Sequence, residues 1–100
     1  MFIYYVPFPS KEEAKNAVKD LLERKLIVCA NLVDSDAIYF WEGKLEEQTE
    51  TIAFIKSPKD ITEEISEIHP YDTPAIIKIR GEANERYDAW AKSCCDDNKR

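Results

Sequence analysis

Thirty-one residues from Ile27 to Ser57, IVCANLVDSDAIYFWEGKLEEQTETIAFIKS, carry no helical period and one glycine. They begin apolar at Ile27-Val28-Cys29-Ala30-Asn31-Leu32-Val33 and end apolar at Ile52-Ala53-Phe54-Ile55. Fully extended at roughly 3.3 Å per residue, the stretch would reach about 100 Å. A 100-residue chain packs into a body with a radius of gyration of about 13 Å. The stretch must therefore fold back on itself, and Trp41-Glu42-Gly43-Lys44 offers the place. Each arm is still about 50 Å long, so the tip is expected to project beyond the body and to meet a partner.

Two positions for the turn compete. A hairpin closing at Asp34-Ser35-Asp36 would pair Val28 with Trp41-Glu42 and leave Ile52 to Ile55 without a neighbour. A hairpin closing at Gly43-Lys44 pairs Val33 with Phe54 and Asn31 with Lys56, joining the two apolar runs. It leaves Glu46, Glu47 and Glu50 toward the exposed end. We expect this second arrangement, with Gly43 as first central residue of a type II′ turn and a β-bulge at Asp34-Ser35-Asp36.

The flanking segments supply the rest of a fold. Phe2-Ile3-Tyr4-Tyr5-Val6 is β-branched and aromatic, ends at Pro7, and reads as a central strand covered on both faces. Ser10-Lys11-Glu12-Glu13 fits a capping box. It opens a helix to about Arg24 with Ala14, Ala17, Val18, Leu21 and Leu22 along one face. Ser57-Pro58 reads as the start of a second helix, carrying Ile61, Ile65 and Ile68 and ending before Pro70. Ala75 to Ile79 is a fourth strand. Asn84 caps a last helix with Tyr87, Trp90, Ala91 and Cys94 on one side, and a polar tail from Asp96 to Arg100 is expected to fray. The order βαββαβ plus a terminal helix predicts one α+β domain over residues 1–100, a ferredoxin-like sandwich with both main helices on one face of an antiparallel sheet.

Composition narrows the function. A net charge of −6 argues against a nucleic-acid binder that relies on a basic face. No apolar run approaches the roughly 20 residues that span a bilayer, and no secretion leader is visible. Three cysteines, two of them adjacent at Cys94-Cys95, do not make a disulfide framework, so a reducing cytoplasm is the simplest compartment. Neither Gly43 nor Gly81 belongs to a phosphate-cradling loop, and nothing marks a nucleophile; binding is expected rather than catalysis.

The residues that bear chemistry are Cys29, Trp41, Glu42, Lys56, His69, Tyr71 and Asp72. Histidine, cysteine and aspartate are donor types for copper or zinc, but no metal-ligand spacing is present. Cys29 reads first as a small core residue, and His69, the one histidine, first as a loop residue whose ring bonds backbone ahead of Pro70. Trp41 and Phe40 near the tip suggest an interface.

Cys29-Ala30-Asn31, Ile38-Tyr39-Phe40-Trp41-Glu42-Gly43-Lys44, Phe54-Ile55-Lys56 and His69-Pro70-Tyr71-Asp72-Thr73-Pro74 strongly resemble the CutA family of divalent-cation tolerance proteins. Tyr87-Asp88-Ala89-Trp90 is similar to the family's closing motif. The resemblance implies a homotrimer whose hairpins reach across to neighbours, placing Trp41, Glu42, Lys44, Lys56, Tyr71 and Asp72 at subunit contacts or in a cleft between subunits. It also implies binding of copper or another divalent metal, with His69 as ligand and Cys29 as a weaker candidate. This chain has Val6 where some members have a ligand cysteine, Ile68 where they have a second histidine, and Ala75 where many carry glutamate. A likeness in architecture to trimeric PII signalling proteins implies the alternative of a metal-independent sensor or scaffold with a small ligand in the cleft.

Overall fold

Ser10 starts the first helix in the structure as its sequence requires: its Oγ accepts the Glu13 amide N–H at 3.2 Å. The Glu13 carboxylate accepts a hydrogen bond from the Ser10 hydroxyl at 3.3 Å, so only the serine half of the reciprocal box forms to backbone. The structure, a computed structural model, describes residues 1–95; the tail from Asp96 lies outside them. The elements run β1 (Phe2–Phe8), α1 (Lys11–Glu23), β2 (Cys29–Trp41), β3 (Lys44–Ser57), α2 (Thr62–Ile68), β4 (Ile77–Arg80) and α3 (Glu85–Cys94). The four strands form one sheet in the order β2-β3-β1-β4, with every neighbouring pair antiparallel. This is the ferredoxin-like α+β arrangement.

One face of the sheet carries the core. Tyr4, Val6 and Phe8 of β1, with Ala53 and Ile55 of β3, pack against Ala14, Ala17, Val18 and Leu21 of α1 and Ile61 and Ile65 from the α2 segment. These are the apolar positions of the helix period meeting alternate strand residues. The opposite face holds Ile3, Tyr5 and Pro7, which are only half-buried. Beside them Ile77 and Ile79 of β4 are exposed. The first strand is thus central, but within one chain it is covered on one face and not on both. A smaller cluster of Val28, Ala91 and Cys95, with Met1, Tyr87 and Cys94 against it, seats α3. Trp90, which the sequence puts on the same side of that helix as Tyr87, Ala91 and Cys94, is half exposed.

The hairpin differs from expectation at its turn. Trp41 pairs with Lys44, so the two central residues are Glu42 and Gly43, not Gly43 and Lys44. Both have positive φ, 51° and 78°, which is the type I′ geometry whose twist matches the strands. Gly43 occupies the second central position, and Glu42 accepts the less comfortable one. The register consequently moves by two residues: Val33 faces Ile52 and Asn31 faces Phe54. A shift of two leaves every side chain on its expected face. No bulge interrupts the ladder, which runs unbroken from Cys29 opposite Lys56 to Trp41 opposite Lys44. Asp34-Ser35-Asp36 lies where the ladder leaves the body, and polar residues fit a strand wet on both sides. Lys11 also pairs with Asp34 at 3.4 Å.

The start of α2 also lies later than expected. Ser57 belongs to β3; its hydroxyl donates to the Leu26 carbonyl at 2.7 Å and accepts the Lys59 N–H at 3.1 Å. Asp60 organises the entry instead, accepting from the Thr62 N–H and hydroxyl. The molecule measures 51 × 24 × 20 Å with a radius of gyration of 14.8 Å, larger than the roughly 13 Å of a compact chain of this length. The excess length fits the two long arms of the hairpin.

Candidate ligand groove

Odd-numbered residues of β2 and even-numbered residues of β3 share the face of the hairpin that continues the half-covered side of the sheet. Tyr39 and Trp41 therefore stand beside Glu46, Gln48 and Glu50. The segment after α2 crosses the end of β1 and brings Tyr71, Asp72, Thr73 and Ala75 to the same place. Together with Pro7 these residues line a groove of about 980 Å³, at the upper end of the range of about 300–1,000 Å³ for small-molecule sites. Its walls combine three aromatic rings with the carboxyl groups of Glu46, Glu50 and Asp72, and among the described residues no lysine or arginine lines it.

His69 fixes the loop that forms one wall. Its Nδ1 accepts the Tyr71 amide N–H at 3.1 Å. That nitrogen carries no proton, so Nε2 does, and it donates to the Pro7 carbonyl oxygen at 2.7 Å. The ring stacks on Phe8 with centroids 4.4 Å apart, and lies 4.9 Å from the Tyr71 ring. His69 is only 8% exposed. Burial lowers its pKa, against the opposing pull of the Pro7 carbonyl and of Glu13 and Glu50. The neutral ring is what the site is built for. The Tyr71 hydroxyl then reaches Glu50 at 3.3 Å, and burial followed by that carboxylate pushes its pKa up.

The sequence-derived candidates separate into groups. Trp41, Tyr71 and Asp72 meet in the groove. Glu42 and Lys44 sit beside Trp41 at the exposed tip. Lys56 pairs with both Ile3 and Cys29, four rungs along β1 from Pro7, or about 14 Å. Cys29 therefore stands as far from the His69 anchor, with its Sγ 3.7 Å from the Tyr87 hydroxyl. Among the described residues no group of three or more His, Cys, Asp or Glu side chains converges to hold a metal ion. The ring nitrogens of His69 are both occupied, so His69, Tyr71 and Asp72 do not make a preformed metal centre within one chain.

Sequence reasoning did not single out Pro7, Tyr39, Gln48 or Glu50 as groove residues. Alternation along the hairpin groups Tyr39, Trp41, Glu46, Gln48 and Glu50 on one face with either turn, because the two registers differ by two residues. Their meeting with Tyr71 and Asp72 depends on the path of the 69–75 loop.

Comparison with known proteins agrees with this architecture. The sequence profile of the family described as CutA1 divalent ion tolerance protein matches residues 2–94. The divalent-cation tolerance protein CutA of Pyrococcus horikoshii is 48% identical over 95 residues, covering 90% of this chain and 93% of that protein. The crystal structure of Pyrococcus horikoshii CutA in 3 M guanidine hydrochloride superposes with a TM-score of 0.89 at 45% identity, covering 94% of this chain and 98% of that one. The PII-like protein CutA from Nostoc sp. PCC 7120 in its apo form has a TM-score of 0.86 at 23% identity over 96% of this chain and 98% of its own, a likeness of fold alone. The profile match over nearly the whole chain and the close relative agree: this chain belongs to the CutA1 divalent ion tolerance protein family.

Proposed function

We propose that this protein acts as a homotrimer in divalent-cation tolerance by binding a small cationic ligand in the groove between the hairpin and the 69–75 loop, without converting it chemically. The groove itself carries this reading. It has small-molecule size, an acidic and aromatic lining and, among the described residues, no basic side chain, so charge complementarity favours a cation. The trimer is supported by apolar surface that one chain leaves uncovered. Phe40 is 74% exposed, with Ile38, Leu45, Ile77 and Ile79 also open. Residues of this kind ordinarily fill an interface, and a closed ring would also cover sheet edges. Light scattering should give about three times 11.6 kDa; the mass of a single chain would remove the trimer.

Copper or another divalent metal bound at His69 is the second reading. It is supported by His69-Pro70-Tyr71-Asp72-Thr73-Pro74 and by the family's description. His69 would have to release either Pro7 or Tyr71, or a second copy would have to supply donors. Calorimetric titration with copper separates the readings. Equal affinity, micromolar or weaker, in wild type and His69→Ala would exclude the metal at His69 while leaving the groove. A cytoplasmic location is supported by the odd number of cysteines, three, which does not make a disulfide framework, and cell fractionation tests it; among the described residues no helix is long and apolar enough to cross a membrane.

A further inference from the structure

We propose that His69 is a latch and not a metal ligand in this chain, so the divalent-metal centre that its family suggests is not built on that ring, whatever the state of assembly. Both ring nitrogens are engaged by backbone of the same chain. Nε2 donates to the Pro7 carbonyl oxygen at 2.7 Å, and Nδ1 accepts the Tyr71 N–H at 3.1 Å. A metal bonded to imidazole lies in the ring plane about 2.0–2.1 Å from the nitrogen, in the space that these two backbone groups fill. At Nε2 it has to displace a proton and expel a carbonyl. At Nδ1 it has to leave the Tyr71 amide without its acceptor. A second copy of the chain adds donors but frees neither nitrogen.

The surroundings are those of a latch. The ring is buried and stacks on Phe8 at an interplanar angle of 20°. The bond from Nδ1 to the amide two residues on repeats what the side-chain oxygen of an Asx turn does. His69 thus folds the start of the 69–75 loop and ties it to β1 with the same ring. Hydrocarbon stands at the neighbouring positions where other ligands are expected. Val6 is fully buried between sheet and helices, and Ile68 packs against that core. Cys29 is four rungs of the sheet away. Glu13 and Glu50 act on the ring only through their charge, and Glu50 is taken up by the Tyr71 hydroxyl at 3.3 Å. Among the described residues every buried side-chain nitrogen and oxygen has a partner, so no donor is held ready for an ion. A copper or zinc centre needs imidazole or thiolate donors with open lone pairs, and this donor set does not fit one.

The test reads the ring itself. The full chain, ¹⁵N-labelled at its single histidine, is titrated at pH 8 with Zn²⁺ and, under reducing conditions, with Cu⁺; both ions are diamagnetic. His69 should show a protonated Nε2 and an unprotonated Nδ1, neither shifted by either metal, with hydrogen exchange at the Tyr71 amide unchanged. A saturable shift of either ring nitrogen at micromolar metal overturns the latch. His69→Asn supplies an acceptor for the Tyr71 amide but no imidazole and no reach to Pro7. It should bind each metal within about twofold of wild type, and a fall of about tenfold or more would restore His69 as a ligand. Its Tyr71 amide should exchange about fivefold more slowly than in His69→Ala; equal rates in the two variants remove the turn-forming half of the latch. A metal that moves the Trp41 indole while the ring nitrogens stay still upholds the latch and the groove reading together. A metal that moves neither upholds the latch and counts against the groove reading alone.

Discussion

His69 Nε2 donates to the Pro7 carbonyl oxygen at 2.7 Å, tying the loop after α2 to the end of β1 across 62 residues of chain. The bond sets the height of Tyr71 and Asp72 over the sheet, because the other ring nitrogen holds the Tyr71 amide. One buried imidazole thus positions an entire wall of the groove.

Replacing His69 by alanine leaves the Pro7 carbonyl and the Tyr71 N–H without their partner and empties the stacking site on Phe8. A loss of about 1–3 kcal/mol in unfolding free energy is expected from the unpaired groups, with more from the cavity. Urea titration of wild type and variant at pH 8 measures it.

The same residue gives a pH dependence. Burial holds the folded pKa of His69 below its ordinary value of 6.5, so the unfolded chain takes up the proton first as pH falls. The His69 contribution is therefore complete above about pH 6.5 and declines below it, toward the depressed folded value. Comparing wild type with His69→Gln between pH 8 and pH 5.5 isolates this contribution from the carboxylates; parallel stability curves would contradict it.

At the hairpin tip, a Cβ on Gly43 would meet nothing within 4 Å, so only its φ of 78° opposes a side chain. Gly43→Ala should cost about 1 kcal/mol through backbone strain alone. Glu42→Asn, at φ 51°, should be neutral or stabilising by a few tenths of a kcal/mol. Denaturation midpoints of the two variants should move in opposite directions, or only the first should move.

Tyr4 provides a third structural check. Its fully buried side chain accepts the Ile61 N–H at 2.8 Å and donates to Asp60 at 3.0 Å. Tyr4→Phe strands that amide at the entry to α2 and should cost about 1–3 kcal/mol. Lys78, 2.6 Å from Asp60, and Thr62 hold the Asp60 carboxyl well below the usual carboxylate range. The stability this pairing gives is present above the ordinary value near 3.8 and is lost as pH falls toward the depressed one. Tyr4→Phe should therefore melt lower at neutral pH with little change in the hydrogen-exchange protection of the hairpin tip.

The exposed tip carries the assembly prediction. Phe40→Lys removes the most exposed of its apolar side chains and touches neither groove nor core. Sedimentation should show the proposed trimer giving way to chains of 11.6 kDa, with the circular dichroism of the fold retained. An unchanged trimer would show that the tip is not at the interface.

The amino-acid order by itself determined the element sequence, the core and the need for a long hairpin. Those follow from local rules: the 3.6-residue period over Ala14 to Leu22, the alternation of Tyr4, Val6 and Phe8, and a non-helical stretch too long for its body. Where two local solutions differed by little, sequence did not choose correctly. Gly43 suits either a type II′ or a type I′ turn, and Asp34-Ser35-Asp36 suits either a bulge or a wet strand. Only the ladder, pairing every rung from Cys29 to Trp41, selected one. The role of His69 and the gathering of Tyr39, Glu46 and Glu50 with Tyr71 and Asp72 were decided by tertiary structure alone. They are contacts between residues tens of positions apart, and such contacts exist only once the sheet has set the end of β1 beneath the loop that follows α2.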